Sequence, residues 1–150
     1  MSADLAVYFE DIPVGEEYAS PGRTVTEADV VIFAGLSGDY NVLHTDAEHM
    51  KASQFGERIA HGLLGLSIQH GLLDRVVTAQ VTGPLAALKW KFKGPIKIGD
   101  TIHVEAQVTA KRDGEQPGWG VVTVARQVIN QRGEVVQEGE TDHLVGRRPA

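Results

Sequence analysis

The chain has 150 residues, a net charge of −6 and no cysteine. This length suits one domain with an ordinary core, so we expect residues 1–150 to form a single domain. The lack of cysteine excludes disulfides, a cysteine nucleophile and cysteine-ligated metal sites, and the acidic balance disfavours nucleic acid as a partner. The sequence has no apolar run of about 18 residues and no signal-like N-terminus, so we expect a soluble cytoplasmic protein without membrane contact.

The N-terminal third predicts an irregular lead-in followed by two helices. Residues 8–24 contain two Pro/Gly turns and indicate short strands or loops. Thr26 followed by Asp29 is a capping-box pattern and predicts a helix from Glu27 to about Leu36. Asp46 is suited to cap a second, short helix over about residues 47–52.

Residues 61 to about 76 predict the principal helix, because their apolar residues leave little polar face and such a helix is buried. The apolar positions are Leu63, Leu64, Leu66, Ile68, Leu72 and Leu73. Three glycines interrupt it, each costing about 1 kcal/mol relative to alanine at an interior helix position. Close packing of another element against Gly62, Gly65 and Gly71 would explain them.

After Gly83-Pro84 the apolar residues recur with a period of two, which is typical of strands. Four runs follow, over about residues 86–93, 101–109, 120–130 and 134–145, separated by glycine-containing turns. Strands that follow one buried helix predict an α+β domain whose antiparallel sheet wraps around that helix. Such a sheet leaves edges to cover, so we expect a homodimer or higher homo-oligomer.

Asp39 and His44 are a candidate acid/base pair. A helix would place them about 140° apart, and an extended chain would separate them by roughly 16 Å. Cooperation therefore requires a tight loop, which Gly38 permits through a positive φ and which Asn41 supports by bonding nearby amides. Such a pair can hold a water molecule and move its protons. The alternative is structural: an Asx turn at Asp39 and a packed or capping histidine.

The predicted start of the principal helix supplies a backbone donor. The first amides of a helix have no internal acceptor, and Gly62 lets a carbonyl approach without meeting a Cβ. This arrangement suits an oxyanion hole for an enolate-like thioester oxygen. His61 is a further substrate contact or, alternatively, a helix cap.

The segments Phe33–Asp46 and Ile59–Gly62 resemble the motif of the MaoC-like dehydratase family, which includes the (R)-specific enoyl-CoA hydratases. The resemblance continues through Leu88–Ile96 and Gly99–Thr101 and covers about residues 8–145. It implies a hot-dog fold, with a long central helix enclosed by an antiparallel sheet, and an active site near a dimer interface.

The resemblance also implies residue roles. The family's catalytic aspartate and histidine correspond to Asp39 and His44, its oxyanion-hole glycine to Gly62, and its motif asparagine to Asn41. The family has proline after that asparagine, whereas this chain has Val42, which should soften the loop but removes no reacting group.

The implied activity is hydration of an enoyl-CoA, or dehydration of an (R)-3-hydroxyacyl-CoA, without a metal or redox cofactor. Coenzyme A then enters only as part of the substrate. The rivals are a hot-dog acyl-CoA thioesterase and a non-catalytic acyl-thioester-binding subunit. The sequence leaves open the acyl chain and the choice between CoA and acyl-carrier-protein thioesters.

Three further residues are candidate substrate contacts. Lys91 and Lys93 belong to a four-lysine segment that either meets the phosphates of coenzyme A or forms a solvated strand face. His70 lies about two turns beyond Gly62 and faces either the acyl tunnel or the core.

Overall fold

The computed structural model describes residues 7–76 and 84–149. A short 3-10 helix, Phe9–Asp11, comes first. The helices are α1 (Glu27–Ser37), α2 (Val42–Thr45), α3 (Ala47–Lys51) and α4 (Gly62–Leu73). The strands are β1 (Glu17–Ala19), β2 (Arg23–Thr24), β3 (Leu85–Phe92), β4 (Thr101–Asp113), β5 (Trp119–Asn130) and β6 (Val135–Gly146).

The strands form one antiparallel sheet in the order β1-β4-β5-β6-β3, with β2 also paired to β4. β4, β5 and β6 are joined by tight turns, as predicted. β3 does not pair with its successor β4 but with β6, across the sheet. Glycine-containing turns between successive strands would indicate hairpins throughout, but the link between β3 and β4 is not a hairpin. Within it Ile96 is buried, and its carbonyl accepts the Ala60 N–H before α4.

Helix α4 packs on one face of this sheet and forms the core with it. The α+β, hot-dog arrangement predicted from the sequence is confirmed. The helix ends at Leu73, earlier than the predicted Val76, and Asp74 is its C-cap. The prediction that α4 is apolar and buried nearly all round is wrong at Leu63, which is 58% exposed. The buried residues of the helix are Leu64, Gly65, Ile68, Gln69, Leu72 and Leu73.

Close packing explains two of the three helix glycines. A Cβ on Gly65 would lie 2.5 Å from both Gln137 Nε2 and Ile96 Cδ1, and one on Gly62 would lie 2.9 Å from the Phe92 ring. Nothing lies within 4 Å of a Cβ on Gly71, so the expected close contact there is wrong.

The link between β3 and β4 fixes the approach to α4. The Ala60 N–H donates to the Ile96 carbonyl at 2.8 Å, and Ile59 pairs with Lys97 in an isolated bridge. The turn after this bridge is closed by Asp100, whose side chain accepts the Lys97 N–H at 3.0 Å. The chain therefore enters α4 from a position set by the sheet.

Strand β3 lies at one end of the strand order and exposes large apolar side chains. Leu85, Leu88 and Phe92 are each about half exposed. Within the described ranges, no helix is long and apolar enough to cross a membrane.

Candidate active site

The segment between α1 and α2 is the tight loop that the sequence predicts. Gly38 ends α1 with φ +77°, and its N–H donates to the Ala34 carbonyl. Asp39 Oδ1 then accepts the Asn41 N–H at 3.2 Å, and Asn41 Oδ1 accepts the Leu43 N–H at 3.0 Å. These bonds turn the chain within four residues and start α2, so His44 lies on a one-turn helix.

His44 is held in a defined orientation beneath this loop. Its side chain is buried, and its Nδ1 lies 2.7 Å from the Ile59 carbonyl oxygen. Because a carbonyl only accepts, Nδ1 carries a proton and Nε2 is the nitrogen left for chemistry.

Arg58, which the motif did not indicate, fixes the same segment. Its guanidinium donates to the His44 carbonyl at 3.3 Å and pairs with Glu27 at 2.6 Å. Its pairing with Glu27 raises the pKa of Arg58 and lowers that of Glu27. The sequence gives little indication of this role, because the ion-pair partner of Arg58, Glu27, lies 31 positions away.

Asp39 and His44 face each other across a short gap. Asp39 Oδ2 lies 3.9 Å from His44 Nε2. This distance is too long for a direct hydrogen bond but allows one water molecule to bond both atoms at about 2.8 Å. The Asp39 side chain is 51% exposed, so this gap is open to solvent.

His61 forms the floor of this site. It is 2% exposed, and its Nε2 lies 2.9 Å from the backbone carbonyl oxygen of Asp39. Its ring stacks on His44 at 3.8 Å and packs against Phe33 at 5.0 Å. This burial does not fit the predicted contact with substrate. His61 occupies the N-cap position of α4, as the capping alternative predicts, but its side chain makes no cap hydrogen bond.

Gly62 is the first residue of α4 and is exposed. Among the described residues, its N–H and that of Leu63 have no acceptor. The Phe92 ring covers the α-carbon of Gly62, and a Cβ there would lie 2.9 Å from the ring, so the ring would have to shift to admit a larger residue. Gly62 follows His61 directly in the chain, and the His61 ring contacts both the Asp39 carbonyl and the His44 ring.

The same cluster has metal-ligating atoms. One ligand atom each from Asp39, His44 and His61 lie within 4.8 Å of one another. In the described structure the His44 Nδ1 and His61 Nε2 atoms already bond backbone carbonyls. The ligands left for a metal ion would therefore include His44 Nε2 and His61 Nδ1, which belong to two stacked rings.

The structure does not bring the predicted lysines to this site. Lys91 lies on the face of the sheet opposite α4, beside Glu138 and Glu140. Lys93 pairs with Glu138 at 3.2 Å. The placement fits the solvated strand face rather than contacts with coenzyme A phosphates in the same chain. His70 is half-buried, and its Nδ1 lies 3.5 Å from Arg126 Nη1.

Residues 10–130 match the family model for the MaoC like domain. An (R)-specific enoyl-CoA hydratase from Rhodospirillum rubrum is 38% identical over 153 residues, which cover 99% of each chain. The chain belongs to the MaoC-like family. Among solved structures similar to this MaoC-like chain is a monoamine oxidase regulatory protein from Archaeoglobus, with a TM-score of 0.90, 40% identity and coverage of 96% and 97%. An unliganded R-hydratase from Pseudomonas aeruginosa has a TM-score of 0.77 and 29% identity, covering 96% of this chain and 88% of its own.

Proposed function

We propose that this MaoC-like protein is an enoyl-CoA hydratase/dehydratase that interconverts a 2-enoyl-CoA and an (R)-3-hydroxyacyl-CoA. The observation that carries the proposal is the 3.9 Å gap between Asp39 Oδ2 and His44 Nε2. The free amide of Gly62, the residue after His61, is its second element. The 38% identical relative named as an (R)-specific enoyl-CoA hydratase supports it.

In the hydration direction, Asp39 and His44 hold one water molecule between them. The Asp39 carboxylate takes a proton from this water as its oxygen bonds the β-carbon. The electron pair of the double bond moves toward the thioester, and the protonated Nε2 of His44 gives its proton to the α-carbon. The proton on Asp39 then returns to His44 through the next water, so that the sum is one water added. Positioned proton transfer of this kind is worth about 10²–10⁴ in rate.

The Gly62 amide completes the site. Charge develops on the thioester oxygen as the α-carbon becomes enolate-like, and an unpaired helix-start N–H stabilises it. In acyl-transfer enzymes one such donor is worth about 3 kcal/mol.

We further propose that the reaction needs no metal or redox cofactor and that the protein acts in the cytoplasm as a homodimer. A homodimer joined along β3 would cover the exposed Leu85, Leu88 and Phe92 and would satisfy the free edge of that strand.

Incubation with crotonyl-CoA in a buffer containing EDTA tests the function. We expect loss of the enoyl absorbance with no free thiol, and a product oxidised by an (R)-specific but not by an (S)-specific 3-hydroxyacyl-CoA dehydrogenase. Release of thiol would indicate a thioesterase instead, and an unchanged absorbance over a panel of enoyl-CoAs would indicate a non-catalytic protein. Dependence on added metal would assign the Asp39, His44 and His61 cluster to metal binding.

A further inference from the structure

Arg126 on β5 is a buried cation without a carboxylate partner. It is 3% exposed and, among the described residues, forms no ion pair. Its Nε atom is buried and has no hydrogen-bond acceptor. Burial lowers the pKa of Arg126 to about 10, while the charge of Asp74 acts at longer range in the opposite direction. The side chain therefore remains a cation at neutral pH.

The groups around this guanidinium are neutral hydrogen-bond acceptors. Nη1 lies 3.3 Å from Gln69 Oε1 and 3.5 Å from His70 Nδ1, and Nη2 lies 2.7 Å from His143 Nε2. Because guanidinium only donates, the imidazole nitrogens that face it must act as acceptors. This arrangement solvates the cation, but among the described residues no carboxylate is in contact with it.

Burying an unpaired charge is costly, and an arginine fork is suited to a carboxylate, which accepts two parallel N–H bonds. If residue 126 contributed only to stability, an apolar side chain would serve there, as it does at the neighbouring inward positions Val124 and Val128. The retained cation and its orphan Nε thus favour an anionic ligand at this place.

The position of the cluster relates it to the candidate active site. Gly62, Leu66 and His70 are spaced four residues apart and share one side of α4. Leu66 and His70 are half-buried, so this side is partly open. It extends about 12 Å from the free Gly62 amide to His70, which contacts Arg126.

We propose that Arg126, with His70, binds a carboxylate at the far end of the acyl chain, so that the substrates are enoyl-CoA thioesters of dicarboxylic acids. The inference rests on the proposed function, in which the thioester oxygen lies at Gly62. The apolar middle of the chain then lies along Leu66, and its terminal carboxylate supplies the missing counter-charge.

Binding of saturated thioesters, which cannot react, tests the proposed carboxylate site independently of catalysis. Calorimetry compares two matched pairs, adipyl-CoA with hexanoyl-CoA and suberyl-CoA with octanoyl-CoA, which differ chiefly in the terminal carboxylate. We expect at least one dicarboxylic thioester to bind about tenfold or more tightly than its partner, since a hydrogen bond to a charged group is worth about that factor. Equal or weaker binding of both dicarboxylic thioesters to the native protein would overturn the proposal.

Variants test whether Arg126 causes the preference for dicarboxylic thioesters. Arg126→Gln should abolish it and Arg126→Lys should retain part of it, while Arg112→Gln, on an exposed arginine of β4, should leave it unchanged. An unaltered preference in folded Arg126→Gln would contradict the assignment. If that variant does not fold, a reduced preference in both Arg126→Lys and His70→Gln supports the assignment, and an unaltered preference in both contradicts it. Absence of hydration over a panel of enoyl-CoAs that includes dicarboxylic ones, with an intact binding preference, would instead refute the proposed function.

Discussion

The rings of His44 and His61 stack with centroids 3.8 Å apart and planes inclined by 29°. Through this stack and the bond from its Nε2 to the Asp39 carbonyl, His61 contacts both members of the candidate pair without facing solvent. We therefore expect His61 to position the pair rather than touch the substrate.

The variant His61→Phe tests this role, because it keeps a flat ring against His44 but removes the donor to Asp39. We expect kcat for crotonyl-CoA to fall about tenfold or more with little change in KM, since small displacements of reacting groups are costly. The exposed His49→Phe serves as the matched control. Full kcat in a folded His61→Phe protein would show that this hydrogen bond does not position the site.

Val42, where the family motif has proline, is a site for stabilisation. It is the first residue of α2, and Asn41 before it has φ −54° and ψ 143°, which a following proline tolerates. We expect Val42→Pro to raise the free energy of unfolding by about 0.4–1 kcal/mol through the unfolded state and to retain activity. Urea denaturation measures this, and a lower midpoint would show that the loop needs Val42.

Two helix glycines should respond to alanine with opposite signs. Gln137 is buried and bonds the Gly62 carbonyl and Trp90 Nε1, so it cannot give way to a Cβ on Gly65. We expect Gly65→Ala to destabilise the protein by about 1–3 kcal/mol. Gly71→Ala, with open space around it, should stabilise by about 0.5–1 kcal/mol. Equal effects in urea denaturation would contradict the packing described.

Asp100 makes the free energy of unfolding depend on pH in the acid range. Burial acts to raise its pKa, but hydrogen bonds from Arg132, Gln131 and the Lys97 N–H outweigh it and hold the pKa below the ordinary 3.8. A lowered folded pKa contributes stability above pH 3.8, and this contribution is lost as the pH falls through the folded value.

The variant Asp100→Asn should therefore lose about 1–3 kcal/mol at pH 7 and show a flatter decline of stability below about pH 4. Urea denaturation at pH 7 and in steps below pH 4 measures both effects. A decline parallel to that of the native protein would show that Asp100 does not supply this acid dependence.

Sequence reasoning predicted the elements whose signals are local. The Thr26–Asp29 capping box, the Asp46 cap and the period-two strands each depend on neighbouring residues, and the structure confirms them. The turn at Gly38 is of the same kind, because only its own φ and the next few hydrogen bonds are involved.

Features that depend on contacts between residues far apart in the chain could not be predicted from local sequence patterns. The pairing of β3 with β6 depends on where Ile96 is buried, and the burial of His61 depends on its contacts with Phe33 and His44. Arg126 occupies an inward position of β5 that alternation assigns to an apolar residue, and that mismatch was the available signal. Asp39 and His44 were predicted by resemblance and spacing, but only the fold gives their separation.

The central claim is that Asp39 and His44 act as one unit on a shared water. The most direct measurement is kcat/KM for crotonyl-CoA in Asp39→Asn, His44→Gln and the double variant, with Glu48→Gln and His49→Ala as exposed controls. We predict that each single change lowers kcat/KM by about 10²–10⁴ and that the double variant is hardly slower, since groups acting together are not additive. Near-native kcat/KM in either folded single variant would contradict the account.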